Sequence, residues 1–596
     1  MSFRLEPGLR IELVAAEPMI ESPVAMAFDE RGRLFVAENR GYPTGPTDGA
    51  APLGRIALLT DTDSDGDMDT RTTFAEDLSY PNGLLPWNGG LIVTCAPEIL
   101  FLRDTDGDGK ADEREVWFTG FSTAGSTQLR VSHPTFGPDN WIYVTSGLTG
   151  GKVTNPQAPD RPAIELGRTD FRFRPDRTAW EAIDGGAQFG QTFDDFGRRF
   201  ICYNRVQAQH VVLTSAILRR QPKLTFSETV QTCPADMVAE PSRGHGTAAR
   251  LFPISSNVTT ADSHAGTFTA ACGVTVFRGD SLPPGYQGGI FSCDPTGNLV
   301  HFDRLEPNGA TFAARRARDG QEFLASTDNW FRPVYLAHGP DGALYVCDMY
   351  RKTIEHPDYL PVEVRKHTDF NSGKDKGRIW RVVASDATPA DLTARRRLPL
   401  AELPVGGLLP VLEEQNGWRR ETARRLLATK IDDGSREALR KVATDPAAAG
   451  PALVCAVSLL DARNAVDDGV LDFLIAHPEP AIRELALRLA EPRLVENPHL
   501  LEHVLTLTGD DNPRVRFQSA IALGACAASK VDQNDRLRRD AIPSRLSAAL
   551  AKLGARDGAD RWTRAAVLSA TAGREEAVFV ALLTIARDKA TVSEAF

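Results

Sequence analysis

The stretch FGPDNWIYVTSG (136–147) is a turn followed by a strand. Gly, Pro, Asp and Asn supply the positive-φ positions of a tight hairpin, and the aromatic and β-branched run after them has strand composition. The same phrase returns as AFDERGRLFVAEN (27–39), LPWNGGLIVTCA (85–96), FDDFGRRFICYN (193–204), PPGYQGGIFSCD (283–294) and HGPDGALYVCDM (338–349). One supersecondary unit repeated six times, with insertions between some copies, predicts a six-bladed β-propeller. A sandwich has no reason to share the phrase.

A second repeat lies inside the first. DTDSDGDMD (61–69) and DTDGDGKAD (104–112) both follow D-x-D-x-D-G-x-x-D, and they start 43 residues apart. Alternate residues of such a turn point inward and the glycine permits the bend. The array of hard oxygens suits Ca²⁺, with Asp61, Asp63, Asp65 and Asp69 in one loop and Asp104, Asp106, Asp108 and Asp112 in the other. Position 12 is Thr72 in the first loop and Glu115 in the second, and the flanking runs GRIALLT and EILFLR read as strands, so EF-hand helices are rejected. The expectation is a structural calcium clip at one position in neighbouring blades, against the plainer reading of an acidic solvated turn.

The chain changes character near residue 385. Beyond it, alanine, leucine and arginine recur at helical spacing. HPEPAIRELALRLAE (477–491) and DDNPRVRFQSAIALG (510–524) align on Pro480 and Pro513, 33 residues apart, each near a helix start. WTRAAVLSATAG (562–573) and WRRETARRLLATK (418–430) are weaker copies. The fold expected is an all-β six-bladed propeller at 1–385 followed by an all-α HEAT-like solenoid at 386–596. The end, TVSEAF, has no capping repeat and reads as a cut.

The chain has 596 residues, 42% hydrophobic and 25% charged, and a net charge of −11. That balance argues against a nucleic-acid or anionic-membrane surface. No apolar stretch approaches the roughly 20 residues of a membrane helix. The eight cysteines include no CxxC or CxxCH, so a zinc ribbon and covalent haem are excluded. They read either as buried thiols or as disulfides, with Cys272–Cys293 the first candidate pair and Cys202–Cys233 the second. No GxGxxG precedes a helix, and there is no P-loop or GxSxG elbow.

A propeller binds ligands at the mouth of its channel, where several blades converge. The polar residues beside the recurrent strands are therefore the site candidates: Gln128, Arg130 and His133; Asn204 and Arg205; His264; and Asp348, Arg351 and His356. They comprise candidate bases, His264 or His133, with guanidiniums for anionic groups and a carboxylate. The set suits proton removal from a sugar hydroxyl while a cofactor takes hydride. Each histidine also has a plain structural reading, each arginine reads equally as an inter-blade ion pair, and Asp348 as a cap.

At these residues the sequence resembles the planctomycete-type membrane-bound dehydrogenase domain proteins, L-sorbosone dehydrogenase-like relatives of the glucose/sorbosone dehydrogenase propellers. The stretches that carry this are ELVAAEPMIESPVAMAFDERGRLFVAENRGYP, both Asp turns, TQLRVSHPTFGPDNWIYVTSG, HAGTFTAACGVTVFRGDSLPPGYQGGIFSCDPTGNLVH and FRPVYLAHGPDGALYVCDMYRKTIEHPDY, which span most of 5–383. The resemblance implies export to the periplasm or cell surface, a propeller, HEAT-like repeats, and a C-terminal cytochrome c domain that this chain lacks. It implies pyrroloquinoline quinone with Ca²⁺ as cofactors. The family's histidine base is not carried over, because alignment on Gly137–Asp139 puts Leu129 at its position. The leading function is a sugar or aldose oxidoreductase passing electrons to a quinone or an external cytochrome, its solenoid docking a protein partner. The alternatives are a lactonase-type calcium hydrolase, with a channel metal held by Asn204 and Asp348, and a non-catalytic carbohydrate-binding scaffold.

Overall fold

The structure, a computed structural model, describes residues 2–45, 50–239, 247–256, 266–396, 399–528 and 536–589. Six antiparallel sheets of four to six strands, with a small two-stranded one at Met237–Ala239 and Thr247–Ala249, form the first part of the chain among the described residues. Their innermost strands are Pro23–Phe28, Pro81–Trp87, Ser132–Phe136, Gln191–Phe193, Cys272–Val276 and Pro333–His338, which we use to number blades 1 to 6. These strands touch in that order, and the sixth touches the first, so the ring is closed. The six-bladed propeller is therefore present.

Each recurrent phrase is the turn from the innermost to the second strand of one blade. The positive φ it needs is taken by Gly32, Gly89, Asn140, Gly197, Gly288 and Gly342. The Asp of the phrase caps the turn: Asp29 Oδ1 accepts from the backbone N–H groups of Arg31 and Arg33, and Asp194 Oδ1 does the same for Phe196 and Arg198.

The N-terminus closes the ring. Leu9–Ala16 pairs with Arg378–Ala384 as the outermost strand of blade 6, and Phe3–Leu5 pairs with Leu324–Ser326 in blade 5. Apolar side chains fill the spaces between blades, each stabilising by about 1.5–3 kcal/mol when buried. Of the two readings of the cysteines, the free-thiol one holds: all eight are free and buried. Cys272 and Cys293 are cross-strand partners without being bonded, and burial pushes the Cys202 thiol up to about 12.

The last propeller strand ends at Ala384, where the composition changes. The compact units divide later. The first runs to Ser435, and the second joins Arg436–Phe596 with the inserts His210–Gln231 and Pro307–Ala313. The shift has a physical cause in Gly417–Lys430, whose sequence reads as a solenoid repeat. This helix instead lies on the inner-to-second turns of the propeller. Arg424, fully buried, donates to the carbonyls of Phe136 and Gly137 and stacks on the Phe136 ring at 4.2 Å. Arg420 reaches Asp195 in blade 4, Glu421 pairs with Arg278 in blade 5, and Asn416 donates to the Pro340 carbonyl in blade 6.

The second unit is helical. Pro480 and Pro513 each open a helix, Pro480–Ala490 and Pro513–Ala528. Three residues on, each helix carries an arginine with equivalent partners. Arg483 pairs with Asp510 at 2.8 Å and donates to the His477 carbonyl; Arg516 pairs with Asp557 at 2.6 Å and donates to the Asp510 carbonyl.

Candidate functional site

Antiparallel order gives the propeller two different mouths. The inner-to-second turns and the third-to-fourth turns share one; the starts of the innermost strands and the ends of the second strands form the other. A cavity of about 500 Å³ opens at that second mouth, lined from all six blades. Innermost strands and the residues just before them bring Val24, Asn82, Gln128, Gln188, Cys272 and Val334. Second-strand exits bring Asn39, Tyr42, Tyr203, Asn204, Arg205 and Thr296. The segment 353–368, which carries the short helices Pro357–Tyr359 and Val362–Arg365, adds Glu355 and Tyr359.

The polar lining is dominated by carboxamides and hydroxyls. Asn39 Nδ2 donates to Asn82 Oδ1 at 3.4 Å, and Asn82 Nδ2 donates to the Thr127 carbonyl at 2.9 Å. All three residues are buried, and Asn39 Oδ1 and Thr127 Oγ1 have no hydrogen-bond partner within the protein. A buried polar atom without a partner is costly, and both belong to residues of the cavity wall. Gln188 Oε1 accepts from the Asn204 N–H at 3.3 Å.

Glu355 is the carboxylate among the described lining residues. Burial raises its pKa, although Oε1 accepts from the His356 N–H at 2.9 Å. Burial, and then the Glu355 charge, push up the phenols of Tyr42 and Tyr359 on the same wall. A carboxyl of raised pKa in a largely neutral pocket has the properties of a general acid or base. Sequence reasoning selects His356 and passes over its neighbour. The signal for Glu355 is weak: an acid in a proline-bounded loop after a blade strand.

Gln128, Asn204 and Arg205 line the cavity. The other sequence candidates in the described residues do not. Arg130 donates to the Thr123 carbonyl at 2.6 Å and stacks on Tyr80 at 3.6 Å. His133 is buried against Tyr335 and Phe189, with ring centroids at 4.7 Å in both cases, and burial pushes its pKa down to about 3. That ring is neutral and a weak base. Asp348 accepts from the N–H groups of Arg332 and Tyr350 and from Trp380 Nε1, and burial pushes its pKa up to about 7. Arg351 donates to the Tyr42 carbonyl and to Ser22 Oγ. His356 Nδ1 caps the turn at Asp358. His264 lies outside the described residues. Asn204 and Asp348 are thus not brought together as ligands for a channel metal.

Pyrroloquinoline quinone tests the cavity's charge. It carries three carboxylates, which call for several guanidiniums or ammoniums. Among the described lining residues Arg205 is the one guanidinium, and Glu355 adds negative charge. Arg130 and Arg351 spend donors on carbonyls elsewhere. The described lining does not fit this cofactor.

The Asp turns sit at the opposite mouth, each joining the third to the fourth strand, in blades 1 and 2. In each, three carboxylates converge: Asp61, Asp63 and Asp65, and Asp104, Asp106 and Asp108, with oxygens within 4.8 Å of one another. The fourth closes the loop instead. Asp69 accepts from Thr62 N and Oγ1, and Asp112 from Thr105 N and Oγ1. Glu115, at position 12, is taken by Arg177 and Trp117. Each loop also reaches the preceding blade: the Met68 N–H donates to the Val14 carbonyl in blade 6, and the Ala111 N–H to the Phe74 carbonyl in blade 1.

No curated protein sequence matches the chain. Among solved structures it is similar to a putative oxidoreductase (glucose dehydrogenase) from Thermus thermophilus, at 17% identity over 63% of this chain and 100% of that one, with a TM-score of 0.35. It is similar to the soluble aldose sugar dehydrogenase of Escherichia coli, at 12% identity over 63% and 99%, with a TM-score of 0.33. It is also similar to a periplasmic gluconolactonase of Pseudomonas aeruginosa, at 16% identity over 55% and 78%, with a TM-score of 0.29. A family profile described as a domain of unknown function, DUF7133, matches residues 1–386, and the chain belongs to that family.

Proposed function

We propose that the propeller oxidises a neutral polyhydroxylated substrate of the sugar or aldose class. The observation that carries this reading is Glu355, a carboxyl of raised pKa set among carboxamides, phenols and threonines in a cavity of about 500 Å³. The carboxamides of the lining, Gln128 and Asn204 among them, bind substrate hydroxyls. Glu355 accepts the proton of the hydroxyl that is oxidised. The hydrogen on that carbon leaves as hydride to a quinone-class acceptor that binds from solution, and a carbonyl or lactone remains. The acceptor passes its electrons on to an external cytochrome. The sequence resemblance to sorbosone-type dehydrogenases supports the same reading and extends it to a periplasmic or cell-surface setting, with the helical unit docking a protein partner.

The three converging carboxylates of each Asp turn fit Ca²⁺, which would draw together oxygens that otherwise repel. Its role in this reading is structural.

The test is reduction of a soluble quinone dye by the purified chain across a panel of aldoses. Turnover is expected in the wild type, and Glu355→Gln is expected to lower kcat about 10²-fold or more while sugar still binds. No dye reduction with any aldose sinks the oxidoreductase reading. Full activity in Glu355→Gln removes Glu355 from the chemistry.

A further inference from the structure

His499 and His503 sit one turn apart on the helix Pro498–Leu507, so both project from one face. Their rings lie 4.5 Å apart. The neighbouring helix Asp468–Ile475 presents Asp472 to them. Asp472 Oδ2 is 3.3 Å from His499 Nε2. Asp472 Oδ1 is 4.0 Å from His503 Nδ1, beyond hydrogen-bond reach, and that oxygen is buried with no partner. The plain reading is a single His–Asp hydrogen bond, which leaves His503 and the second oxygen unexplained.

The other polar groups nearby are committed elsewhere. Glu502 is paired with Arg545, and Asp468 accepts from Asn497 Nδ2 at 2.9 Å. What remains is two imidazole nitrogens and one carboxylate oxygen, all within 4.8 Å of one another. Bonds of about 2.0–2.1 Å to a tetrahedral ion place its ligand atoms about 3.3 Å apart. The 3.3 Å between His499 Nε2 and Asp472 Oδ2 matches that separation, and His503 Nδ1, 4.0 Å from the other carboxylate oxygen, needs to move inward by under 1 Å. The histidine side chains are 60% and 35% exposed and free to turn inward.

We propose that Asp472, His499 and His503 form a metal site for a divalent late transition ion of the Zn²⁺ class. The donor set excludes Ca²⁺ and Mg²⁺, which take oxygen ligands, and suits borderline ions that prefer imidazole. Three protein ligands leave one position open to water or to a ligand from a partner. The ion ties two helices that are joined directly by the Asp468–Asn497 bond at the same end.

The test uses the full chain, stripped with chelator and then held in excess Ca²⁺ to occupy the Asp turns. Co²⁺ is titrated against its visible d–d absorption, and Zn²⁺ is added to displace it. The expected result is one Co²⁺ per chain with a nitrogen-ligated spectrum, displaced by Zn²⁺. The signal is lost in His499→Ala and in His503→Ala, bound at least 10-fold more weakly in Asp472→Asn, and retained in Asp61→Asn and Asp104→Asn. These are surface side chains, and an unchanged circular dichroism spectrum checks the variant folds. The proposal is overturned if the wild type shows no such signal, or if the signal survives either histidine substitution.

Discussion

At the scale of the residue, burial decides what each titratable group does. His301 is enclosed between Asp303 at 3.0 Å and Glu322 at 2.7 Å, all three buried. Burial alone would discharge the ring, but the two carboxylates outweigh it and push its pKa up to about 10. A raised imidazole stabilises the fold fully below its unfolded value of about 6.5, and that stability is lost as pH rises through the folded value. His301→Gln removes the charge shared by the two buried carboxylates and leaves Glu322 to Arg316 and Asp303 to the Gln207 amide, at a cost of about 3 kcal/mol. The difference in melting temperature between wild type and His301→Gln is therefore expected to be largest below about pH 6.5 and to shrink as pH rises. A difference that does not vary with pH speaks against the charged ring. The same logic explains the site candidates. Gln128, Asn204 and Arg205 reach the cavity, whereas His133 and Asp348 are equally polar and equally close to blade strands in sequence. Which side of a strand faces the channel, and which groups a neighbouring blade covers, is set by packing between distant segments. No single residue reports it.

At the scale of the element, Gly417–Lys430 shows how one periodicity serves two purposes. WRRETARRLLATK has helical spacing and is a helix, but its arginines are buried on the propeller rather than solvated on a solenoid. Arg424 joins the Phe136 and Gly137 carbonyls to Glu421. Burial opposes the Glu421 charge, but the Arg424 and Arg278 guanidiniums pull its pKa down to about 2. Arg424→Ala removes these donors and leaves buried acceptors, at a cost of about 3 kcal/mol. Thermal unfolding is expected to show a clear loss for Arg424→Ala and almost none for the exposed Lys430→Ala; equal effects contradict the docked position. The prolines, in contrast, mark helix starts from sequence alone, because a missing N–H is a local property.

At the scale of the whole molecule, the ring must be held shut. The N-terminal strand does so in blade 6 through its ladder with Arg378–Ala384. The first Asp turn reinforces that seam, since the Met68 N–H bonds the Val14 carbonyl of this same strand; the second does the same between blades 2 and 1. Calcium bound at these turns, as proposed above, would stabilise by mass action, about 2.7 kcal/mol at 100 times its dissociation constant. Chelation is expected to lower the propeller's melting temperature by about a few degrees. Activity falls only as the fold loosens, and Asp61→Asn with Asp104→Asn abolishes the chelator's effect. Loss of activity with an unchanged melting temperature places the ion in the chemistry instead.

The sequence by itself determined the number of blades, the turn that opens each one, the equivalence of the two Asp turns, and the start of the helical half near residue 385. These follow from local rules: positive φ, strand alternation and helical spacing act between residues a few positions apart. Only the tertiary structure decided that the cysteines stay free, that Gly417–Lys430 belongs with the propeller, and that Glu355 faces the cavity while Asp348 and Arg351 brace the wall. Those outcomes depend on which surfaces meet across hundreds of residues, and burial there changes what each polar group can bind.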